Sequence, residues 1–549
     1  MDLLMFSQKK DELARLAEIG KVMGRYGLAD WLRKIPIEQL RNFVASPETQ
    51  LIGSESWQVR LRLAFTELGT TFIKFGQMLS TRDDLVGKEL AEELAKLQSR
   101  TPADPPEVVR QTITEELGKP PEQLFAEFDA AALASASVGQ VHRARLADGR
   151  PVVVKVQHAG IRPKILSDLD VLTTLARLLE QHVPAAAAYT PVATVSSFRR
   201  TLLRELDFTS ERHNLDQFRR NFSDDETVHF PQPYAELSAS RVLTMEFLEG
   251  PSGTNQEAIH RSGADLKEFS LRAAQMYLNM IFRDGFYHAD PHPGNYVLLP
   301  GGVVGVLDGG MVGRIDDDLR ELFEDGLLAL SRHDTASLCD LLLRAGSAPA
   351  GIDVAVFRAE VSEFLADYTG QSLDEFDLSG AIRRLTEIIR VHQLVLPAGV
   401  SLVLKTLVML ESTAKQLDPA FNLVELIEPM QSKLLRQRFS PGRLLKKLQR
   451  SYHDVDRLIS TAPRNVADLL DQFRSGKVTI KHEHEHLQTA VNRMVLGLLT
   501  SALFLGSSQL CRQPLPPVAY GVSIPGAAGC LVAVLLGIQL VQSIRRDAP

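Results

Sequence analysis

The stretch from Tyr287 to Asn295, which reads YHADPHPGN, constrains the fold of this 549-residue chain more than any other stretch. Four residues separate Asp290 from Asn295, and Asp308 follows beyond a run of mostly apolar residues. The Pro-Gly-Gly turn at 300–302 lies between two short apolar runs and predicts a β-hairpin between Asn295 and Asp308. This hairpin would bring two possible metal ligands side by side.

Asp290 and Asn295 have the spacing of the kinase catalytic loop, His-x-Asp-x4-Asn. In that loop the aspartate meets the proton of the acceptor and the asparagine holds a metal ion. Asp308 would then be the second metal ligand. The alternative is an ordinary proline-rich turn followed by an aspartate at a strand end, since Asn, Asp, Pro and Gly are favoured in any turn.

A second β-hairpin is predicted upstream. Its strands, 138–146 and 151–157, flank Asp148-Gly149, which is a good turn signal. The second strand contains VVVKV, which is similar to the kinase strand Val-Ala-Ile-Lys and would place Lys155 on the α- and β-phosphates of ATP or ADP. A lone strand lysine is usually only solvent-facing. The hairpin before Lys155 and the helical stretch after it favour the phosphate-binding interpretation.

Small residues precede this hairpin, where a kinase has its glycine-rich loop over the phosphates. Alanine and serine replace most of the glycines, and their Cβ atoms restrict φ and stiffen the loop. Nucleotide should therefore be held differently from an ordinary kinase. The residues predicted to cover it are Ala134, Ser135, Ala136, Ser137, Val138, Gly139, Gln140, Val141 and His142.

Glu211 is the predicted acidic partner of Lys155, on a helix where Glu205 and Asp207 come first. Glu205 and Asp207 could form an electrostatic cluster with Glu211, and the alternative is that they lie on a solvated helix face. A helical insertion at 161–182 separates Lys155 from this helix.

A buried strand at 241–250 predicts the hinge between two lobes. There the backbone of Glu246, Phe247 and Leu248 would meet adenine. A helix predicted at 265–282 leads from the hinge to the catalytic loop.

The first 105 residues predict an N-terminal helical extension. Its helix at 68–80 carries Lys74 and Gln77 three positions apart, and therefore on one face. The alternative for this pair is the solvated edge of an amphipathic helix.

Composition excludes some classes of function. The net charge of -7 gives no basic stripe for nucleic acid. Cys339, Cys511 and Cys530 lack Cys-x-x-Cys spacing, which argues against a disulfide framework and a thiolate metal site. We expect the catalytic body in a reducing compartment and no signal peptide.

Two uncharged runs near the C-terminus, 494–510 and 518–544, predict a transmembrane hairpin. Arg493 before them and Arg545-Arg546 after them indicate that both ends face the cytoplasm. The alternative is a buried helical hairpin of a soluble core. A preceding His-Glu run at 481–486 is typical of a solvated face, with a metal site as the alternative.

Several motifs together resemble the UbiB family of atypical kinases, over about residues 20–420. They are Lys74-Phe-Gly-Gln77, Ala134-Ser-Ala-Ser-Val-Gly-Gln-Val-His142, Val154-Lys155, Glu205-Leu-Asp207 with Glu211, His288-Ala-Asp-Pro-His-Pro-Gly-Asn295 and Asp308-Gly-Gly310. The Lys-x-Gly-Gln helix, the alanine-rich loop and the Glu-x-Asp motif occur in this order in that family rather than in ordinary kinases.

The resemblance implies an α+β, bilobal protein-kinase-like fold with an N-terminal helical extension and a C-terminal transmembrane helical hairpin. The expected domains are the extension (1–105), an N-lobe with a helical insertion (106–248), a helical C-lobe (249–480) and two transmembrane helices (490–546).

The resemblance also implies ATP or ADP with Mg²⁺, a bacterial inner membrane with the kinase-like body in the cytoplasm, and support of ubiquinone biosynthesis. Lipid quinone precursors and biosynthetic enzymes are the implied partners. Lys74 and Gln77 would face the active site, Glu205 and Asp207 would link the extension to it, and Lys155 would pair with Glu211.

Two departures qualify the resemblance to kinases. Asp308-Gly309-Gly310 replaces Asp-Phe-Gly and so lacks the phenylalanine of ordinary kinase switching. No lysine follows Asp290 at the position typical of serine/threonine kinases, which disfavours transfer to a protein. The leading hypothesis is an ATPase. Phosphoryl transfer to a small molecule or lipid and a nucleotide-dependent scaffold remain its alternatives.

Overall fold

The structure is a computed structural model, and it describes residues 2–28, 55–97, 101–183, 190–346, 351–369, 377–427, 487–512, 516–519 and 522–546. The chain divides into two compact units, Met1–Arg443 and Leu444–Pro549. The His-Glu run at 481–486 lies outside the described residues. The predicted boundaries within the first unit remain predictions.

The N-terminal extension is helical, as predicted. Its helices are α1 (Asp2–Arg25), α2 (Trp57–Leu68), α3 (Thr70–Leu79), α4 (Asp83–Val86) and α5 (Lys88–Leu94). Gly69 joins α2 to α3 with a φ of 94°, a value that glycine adopts readily and other residues rarely do. Phe65, Leu68 and Phe72 from these two helices pack into a core that also contains residues of the N-lobe.

The N-lobe begins with α6 (Pro106–Leu117) and α7 (Pro121–Leu124). A four-stranded antiparallel sheet follows, in the order β1 (Glu127–Ser135), β2 (Gly139–Arg145), β3 (Pro151–Gln157), β5 (Val242–Glu246). Because strand side chains alternate between faces, Val154 and Val156 pack with Ile113 of α6. Lys155 therefore points to the opposite face of the sheet, where the candidate site lies.

Three helices connect β3 to the rest of the sheet. They are α8 (Ile161–His182), α9 (Pro191–Glu205) and α10 (Phe208–Asn221). The prediction of one helix carrying Glu205, Asp207 and Glu211 was wrong, because α9 ends at Glu205. Asp207 is the N-cap of α10, and its carboxylate accepts a hydrogen bond from the Thr209 N–H at 3.1 Å. Aspartate is a preferred N-cap residue, so the chain starts a new helix at this position.

The C-lobe combines two small sheets with helices. One sheet has β4 (Val228–His229) parallel to β8 (Val303–Val306), which pairs with β7 (Tyr296–Leu299) in the predicted antiparallel hairpin. The other pairs β6 (Phe286–His288) with β9 (Val312–Arg314). The helices are α11 (Gln256–Arg261), α12 (Leu266–Leu278), α13 (Asp317–Ser331), α14 (Thr335–Ala345), α15 (Val354–Thr369), α16 (Leu378–Val391) and α17 (Ala398–Leu417).

One helical prediction in the C-lobe needs correction, and one further helix was not predicted separately. The helix predicted at 265–282 is α-helical only to Leu278 and continues as a π-helix over Asn279–Asp284. Sequence analysis missed α14, although Asp334 caps it by accepting a hydrogen bond from the Ser337 N–H at 3.0 Å. An aspartate before an apolar periodic run is the signal that was available for this helix.

The second unit contains two apolar helices, α18 (Leu487–Arg512) and α19 (Ile524–Arg546), and a short β10–β11 pair, Val518–Ala519 with Val522–Ser523. Within α18, Met494–Cys511 is long and apolar enough to cross a membrane, with a mean hydropathy of 1.6 and 6% of it buried.

The second apolar helix starts later than predicted. It begins at Ile524 rather than Val518, and its apolar part, Ile524–Leu540, is shorter than the first. Pro525 explains the start, because proline is tolerated only in the first turn of a helix. Small residues lie between α18 and α19: Gly529 contacts Ser507, and Gly537 packs near Thr500. The three cysteines are free thiols.

A buried carboxylate ties the N-terminal extension to the N-lobe. Asp168 of α8 is 1% exposed. It accepts hydrogen bonds from Arg15 Nε at 2.6 Å and from Thr71 Oγ1 at 2.5 Å. Arg15 also donates to the Leu68 carbonyl oxygen at 2.9 Å. This one side chain therefore links α1 and α3 to α8 and fixes the helix that carries Lys74.

The substitution Asp168→Ala should lower the free energy of unfolding by about 3–5 kcal/mol, because it leaves the buried Arg15 side chain with only the exposed Glu18 as an ionic partner. Asp170→Ala is the matched control in the same helix, since Asp170 pairs with Arg199 at the surface. The control should cost less than about 1 kcal/mol. Denaturant melts that give the two variants equal stability would contradict this role of Asp168.

Candidate active site

A lysine and two carboxylates from distant parts of the chain meet at the centre of the site. Lys155 Nζ lies 2.7 Å from Glu211 Oε2, 2.9 Å from Glu211 Oε1 and 3.4 Å from Asp308 Oδ1. The Phe208 ring centroid is 5.2 Å from the same Nζ. Strand β3, the first turn of α10 and the segment after β8 are thus brought together, as the kinase-like motifs predict.

The three groups shift one another's pKa values. Although burial disfavours the ammonium, Glu211 and Asp308 raise the pKa of Lys155 above its ordinary value. Burial, with repulsion from Asp308, raises the pKa of Glu211 to about 7 against the opposing effect of Lys155. Burial also disfavours the Asp308 carboxylate, yet the Lys155 ammonium holds its pKa well below the usual range. Of the two carboxyl groups that face the Lys155 ammonium, Glu211 is therefore the one that takes up a proton more readily.

The loop before β7 positions Asp290 and Asn295. Asn295 Nδ2 donates to the Asp290 carbonyl oxygen at 3.1 Å and to Asp290 Oδ2 at 3.2 Å. The amide oxygen of Asn295 is therefore turned away from Asp290. The backbone oxygen of Asn295 accepts a hydrogen bond from the Leu307 N–H at 2.8 Å. The β7–β8 hairpin thus places Asn295 beside the residue that precedes Asp308.

Two residues to which sequence analysis assigned no role belong to this site. His288 Nε2 lies 3.8 Å from Asp308 Oδ2, and Tyr277 Oη lies 3.2 Å from His288 Nδ1. Both side chains are fully buried. The available signal for His288 was the kinase-like His-x-Asp spacing. Tyr277 carried no signal, because it lies in the apolar stripe of α12.

The turn over the site is shorter than predicted. Ala134 and Ser135 belong to β1, whose pairing with β2 extends to Ser135 opposite Gln140, and only residues 136–138 form the turn. The expectation that Ala134 and Ser135 belong to a loop was wrong, because cross-strand pairing extends a strand into residues of low strand propensity. A Cβ at Gly139 would lie 2.5 Å from the Val156 carbonyl oxygen, so β2 needs glycine there.

The turn is tied down on two sides. The Ala136 N–H donates to the Gly139 carbonyl oxygen at 2.9 Å, and Thr70 Oγ1 donates to the Ser137 carbonyl oxygen at 3.4 Å. The side chains of Gln140 and His142 are buried and contact each other, with 2.9 Å between their Nε2 atoms. They serve the packing of the sheet, while Val138 and Val141 contribute to the core.

The predicted hinge follows β5. Glu246 Oε2 accepts hydrogen bonds from His229 Nε2 and from the Gln232 N–H, both at 3.1 Å, and the His229 bond lowers the pKa of Glu246. The backbone N–H groups of Glu246 and Phe247 donate to the carbonyl oxygens of Gln232 and Pro151. These two hinge amides are therefore already used by the fold.

The predicted residues of the extension separate into two groups. Lys74 forms an ion pair with Glu205, so the structure joins α3 to the end of α9. Gln77 Nε2 donates to the Leu97 carbonyl oxygen at 2.9 Å, which keeps this contact within the extension. Asp207 caps α10. The structure thus brings Glu205, and not Asp207, to the Lys-x-Gly-Gln helix.

The donor atoms near Asp308 suit magnesium. Across the described ranges, no three His, Cys, Asp or Glu side chains cluster in a way that could hold a metal ion. The oxygen donors that the kinase-like motifs assign to a metal ion are the carboxylate of Asp308 and the amide oxygen of Asn295. Magnesium is typically bound by one or two carboxylates together with phosphate and water oxygens. The residues present therefore fit a Mg²⁺ ion that arrives with a nucleotide.

Comparison with known proteins gives three matched regions. Residues 96–342 match the ABC1 atypical kinase-like domain, residues 361–422 match the UbiB helical domain, and residues 479–546 match the ABC1/UbiB kinase-like C-terminal domain. A solved Mycobacterium tuberculosis structure, the complex of Rv3197 with erythromycin, is 24% identical and covers 65% of this chain and 87% of its own, with a TM-score of 0.44.

Two bacterial relatives align over most of the chain. The probable protein kinase UbiB of Pseudomonas paraeruginosa is 34% identical over an alignment 476 positions long, which covers 83% of this chain and 88% of the relative. The probable protein kinase UbiB of Xylella fastidiosa is 32% identical over an alignment 552 positions long, which covers 95% of this chain and 98% of the relative. The chain belongs to the UbiB family of atypical kinase-like proteins.

Proposed function

We propose that this chain is a membrane-anchored ATPase that hydrolyses ATP with Mg²⁺ and thereby supports ubiquinone biosynthesis. The observation that carries the proposal is the convergence of Lys155 Nζ on Glu211 and Asp308, all within 3.4 Å. One ammonium facing two carboxylates is the arrangement by which kinase-like proteins bind phosphates and a metal ion.

Each site residue has a defined part in this proposal. Lys155, held by Glu211, would orient the α- and β-phosphates. Asp308 and the amide oxygen of Asn295 would hold Mg²⁺, which when bound neutralises charge on the phosphates. Asp290 would position a water or hydroxyl group, and the Asn295 hydrogen bond at 3.2 Å fixes its carboxylate for that purpose.

Nucleotide would lie between the hinge and the covering turn. Because the amides of Glu246 and Phe247 donate within the fold, the Leu248 amide is the hinge donor that we expect to meet adenine. The backbone of residues 136–138 would cover the phosphates from the other side. Its hydrogen bond from Thr70 connects this cover to the N-terminal extension.

Water is favoured over a protein as the acceptor. The Lys74–Glu205 ion pair and the buried Asp168 contacts hold α3 against the N-lobe. No lysine follows Asp290 in the position typical of protein kinases. A helix held in this place leaves less room for a bulky peptide, and a protein kinase would be expected to have the lysine. We therefore favour hydrolysis over transfer to a protein.

The C-terminal helices support the membrane part of the proposal. Met494–Cys511 has the length and apolar character of a membrane span, and α19 adds a second apolar helix. Both named relatives are bacterial. We propose the bacterial inner membrane, with the kinase-like body in the cytoplasm, where hydrolysis would make lipid quinone precursors accessible to biosynthetic enzymes.

Phosphate release from ATP tests the proposal. Asp290→Asn and Asp308→Asn should each lower the rate of release by about 100-fold or more, because each removes a carboxylate that acts on the reacting phosphate. Asp265→Asn is the matched control, since Asp265 caps α12 outside the site and asparagine caps equally well. Release that is the same in all of these variants would exclude this active site.

The same assay, run with radiolabelled ATP in detergent and in lipid vesicles, separates the alternatives. A labelled lipid or small molecule that depends on Asp290 would indicate phosphoryl transfer. Intact binding of ATP without release by the wild-type chain would indicate a nucleotide-dependent scaffold. The proposed ATPase predicts free phosphate in both media.

The raised pKa of Glu211 predicts a pH dependence of stability. An acid that is protonated in the fold up to pH about 7, but only to about 4.5 when unfolded, stabilises the fold below 4.5. That stabilisation is lost as the pH rises through about 7. We therefore expect the melting temperature of the wild type, measured without nucleotide or metal, to decrease from pH 5 to pH 8 more than that of Glu211→Gln. Melting curves whose difference stays constant over this range would contradict the raised pKa.

A further inference from the structure

A chain of buried polar groups leads through the C-lobe core to Asp308. Tyr296 Oη donates to Tyr277 Oη at 2.6 Å, and Tyr277 Oη lies 3.2 Å from His288 Nδ1. His288 Nε2 in turn lies 3.8 Å from Asp308 Oδ2. Tyr277 and His288 are fully buried, and Tyr296 is 3% exposed. Polar groups at this depth need a reason, because burying them without partners is costly.

The backbone fixes the direction of this chain. The Asp290 N–H, which can only donate, points at His288 Nδ1 from 3.3 Å. Nδ1 is therefore an acceptor, and the proton of the neutral ring is on Nε2. It follows that Tyr277 donates to Nδ1 and accepts from Tyr296, which agrees with the donor role of the Tyr296 hydroxyl.

The Nε2–H of His288 is a buried donor that points toward Asp308. Among the residues that the structure describes, this nitrogen has no hydrogen-bond partner. An unpaired buried donor costs about 1–3 kcal/mol. That cost would be relieved if the Asp308 carboxylate moved toward Nε2, as hydrogen bonds of active sites commonly tighten when the ligand binds.

The charges that face Asp308 from the other side complete the arrangement. Lys155 Nζ approaches Oδ1 at 3.4 Å, whereas His288 faces Oδ2. The two oxygens of one carboxylate thus have different neighbours. A donor fixed on Oδ2 would define the rotation of the carboxylate and so the direction of the lone pairs on Oδ1.

We propose that Tyr277 and Tyr296 are positioning residues that, together with the Asp290 N–H, keep His288 in its Nε2–H form, so that His288 holds Oδ2 of Asp308. Outer groups of this kind orient metal ligands and contribute to metal affinity. The inference rests on the proposed function, because it takes Asp308 as the ligand of nucleotide-bound Mg²⁺. It adds to that function the residues that set the affinity for the metal.

Binding of the fluorescent nucleotide mant-ADP to the full chain in detergent, titrated with Mg²⁺, tests this inference. Tyr277→Phe removes the donor to Nδ1 and should raise the Mg²⁺ concentration for half-maximal binding about tenfold. Tyr296→Phe removes only the outer hydroxyl and should raise it less. Binding of mant-ADP in EDTA should be equal in both variants and the wild type, because the Tyr–Tyr–His chain acts on the carboxylate alone.

Tyr287→Phe is the matched control. Tyr287 neighbours His288 on β6 and is 1% exposed, so this variant removes a hydroxyl from the same core. It should leave the Mg²⁺ requirement unchanged. If Tyr277→Phe does not fold, the comparison of Tyr296→Phe with Tyr287→Phe decides the matter.

The outcomes distinguish the two levels of the proposal. Wild-type binding that does not respond to Mg²⁺ would overturn the proposed function together with this inference. If the wild type and all three tyrosine variants need the same Mg²⁺ concentration for half-maximal binding, the inference is overturned and the proposed function is not. Nitrogen-15 histidine spectra without nucleotide, assigned with His288→Asn, give a second readout. They should show an Nε2-protonated ring, and an Nδ1-protonated ring would also overturn the inference.

Discussion

The site depends on an imbalance of charge. A single ammonium group, that of Lys155, faces the carboxyl groups of both Glu211 and Asp308. Burial makes this arrangement costly, because a carboxylate without a counter-charge is poorly tolerated in the interior. Glu211 accordingly has a pKa raised to about 7. Asp308 stays ionised and is left with capacity for a second cation. A divalent metal ion that brings negatively charged phosphates would satisfy both needs at once, which is why this constellation suits a nucleotide.

The surrounding elements serve to hold these few atoms in place. The alternation of β3 turns Lys155 away from the valines that pack under α6, and the β7–β8 hairpin brings Asn295 beside the segment that carries Asp308. On the far side, Asp168 anchors the extension, and Thr70 connects it to the covering turn. The extension therefore shares a hydrophobic core and hydrogen bonds with the N-lobe, and helps to form the site.

Sequence analysis predicted those parts of the candidate site that depend on residues close together in the chain. It failed for residues whose local structure depends on contacts with other elements. The hairpin that brings Asn295 beside the segment of Asp308 was predicted because a hairpin is a local structure. Asp207 was placed inside a helix because helical periodicity does not register a cap that breaks it. Ala134 and Ser135 were taken as loop because their strand pairing depends on β2. Tyr277 was not identified because its hydroxyl acquires a role only beside His288, and the π-helix between α12 and β6 that brings the two together was not predicted.

The most direct measurement is an experimental structure of the full chain with the non-hydrolysable analogue AMP-PNP and Mn²⁺, in which anomalous scattering locates the metal. The account predicts a metal peak bound to Asp308 and Asn295, with the phosphates on Lys155 and adenine against the hinge at Leu248. A nucleotide bound in another part of the protein, or a metal that contacts neither Asp308 nor Asn295, would contradict it.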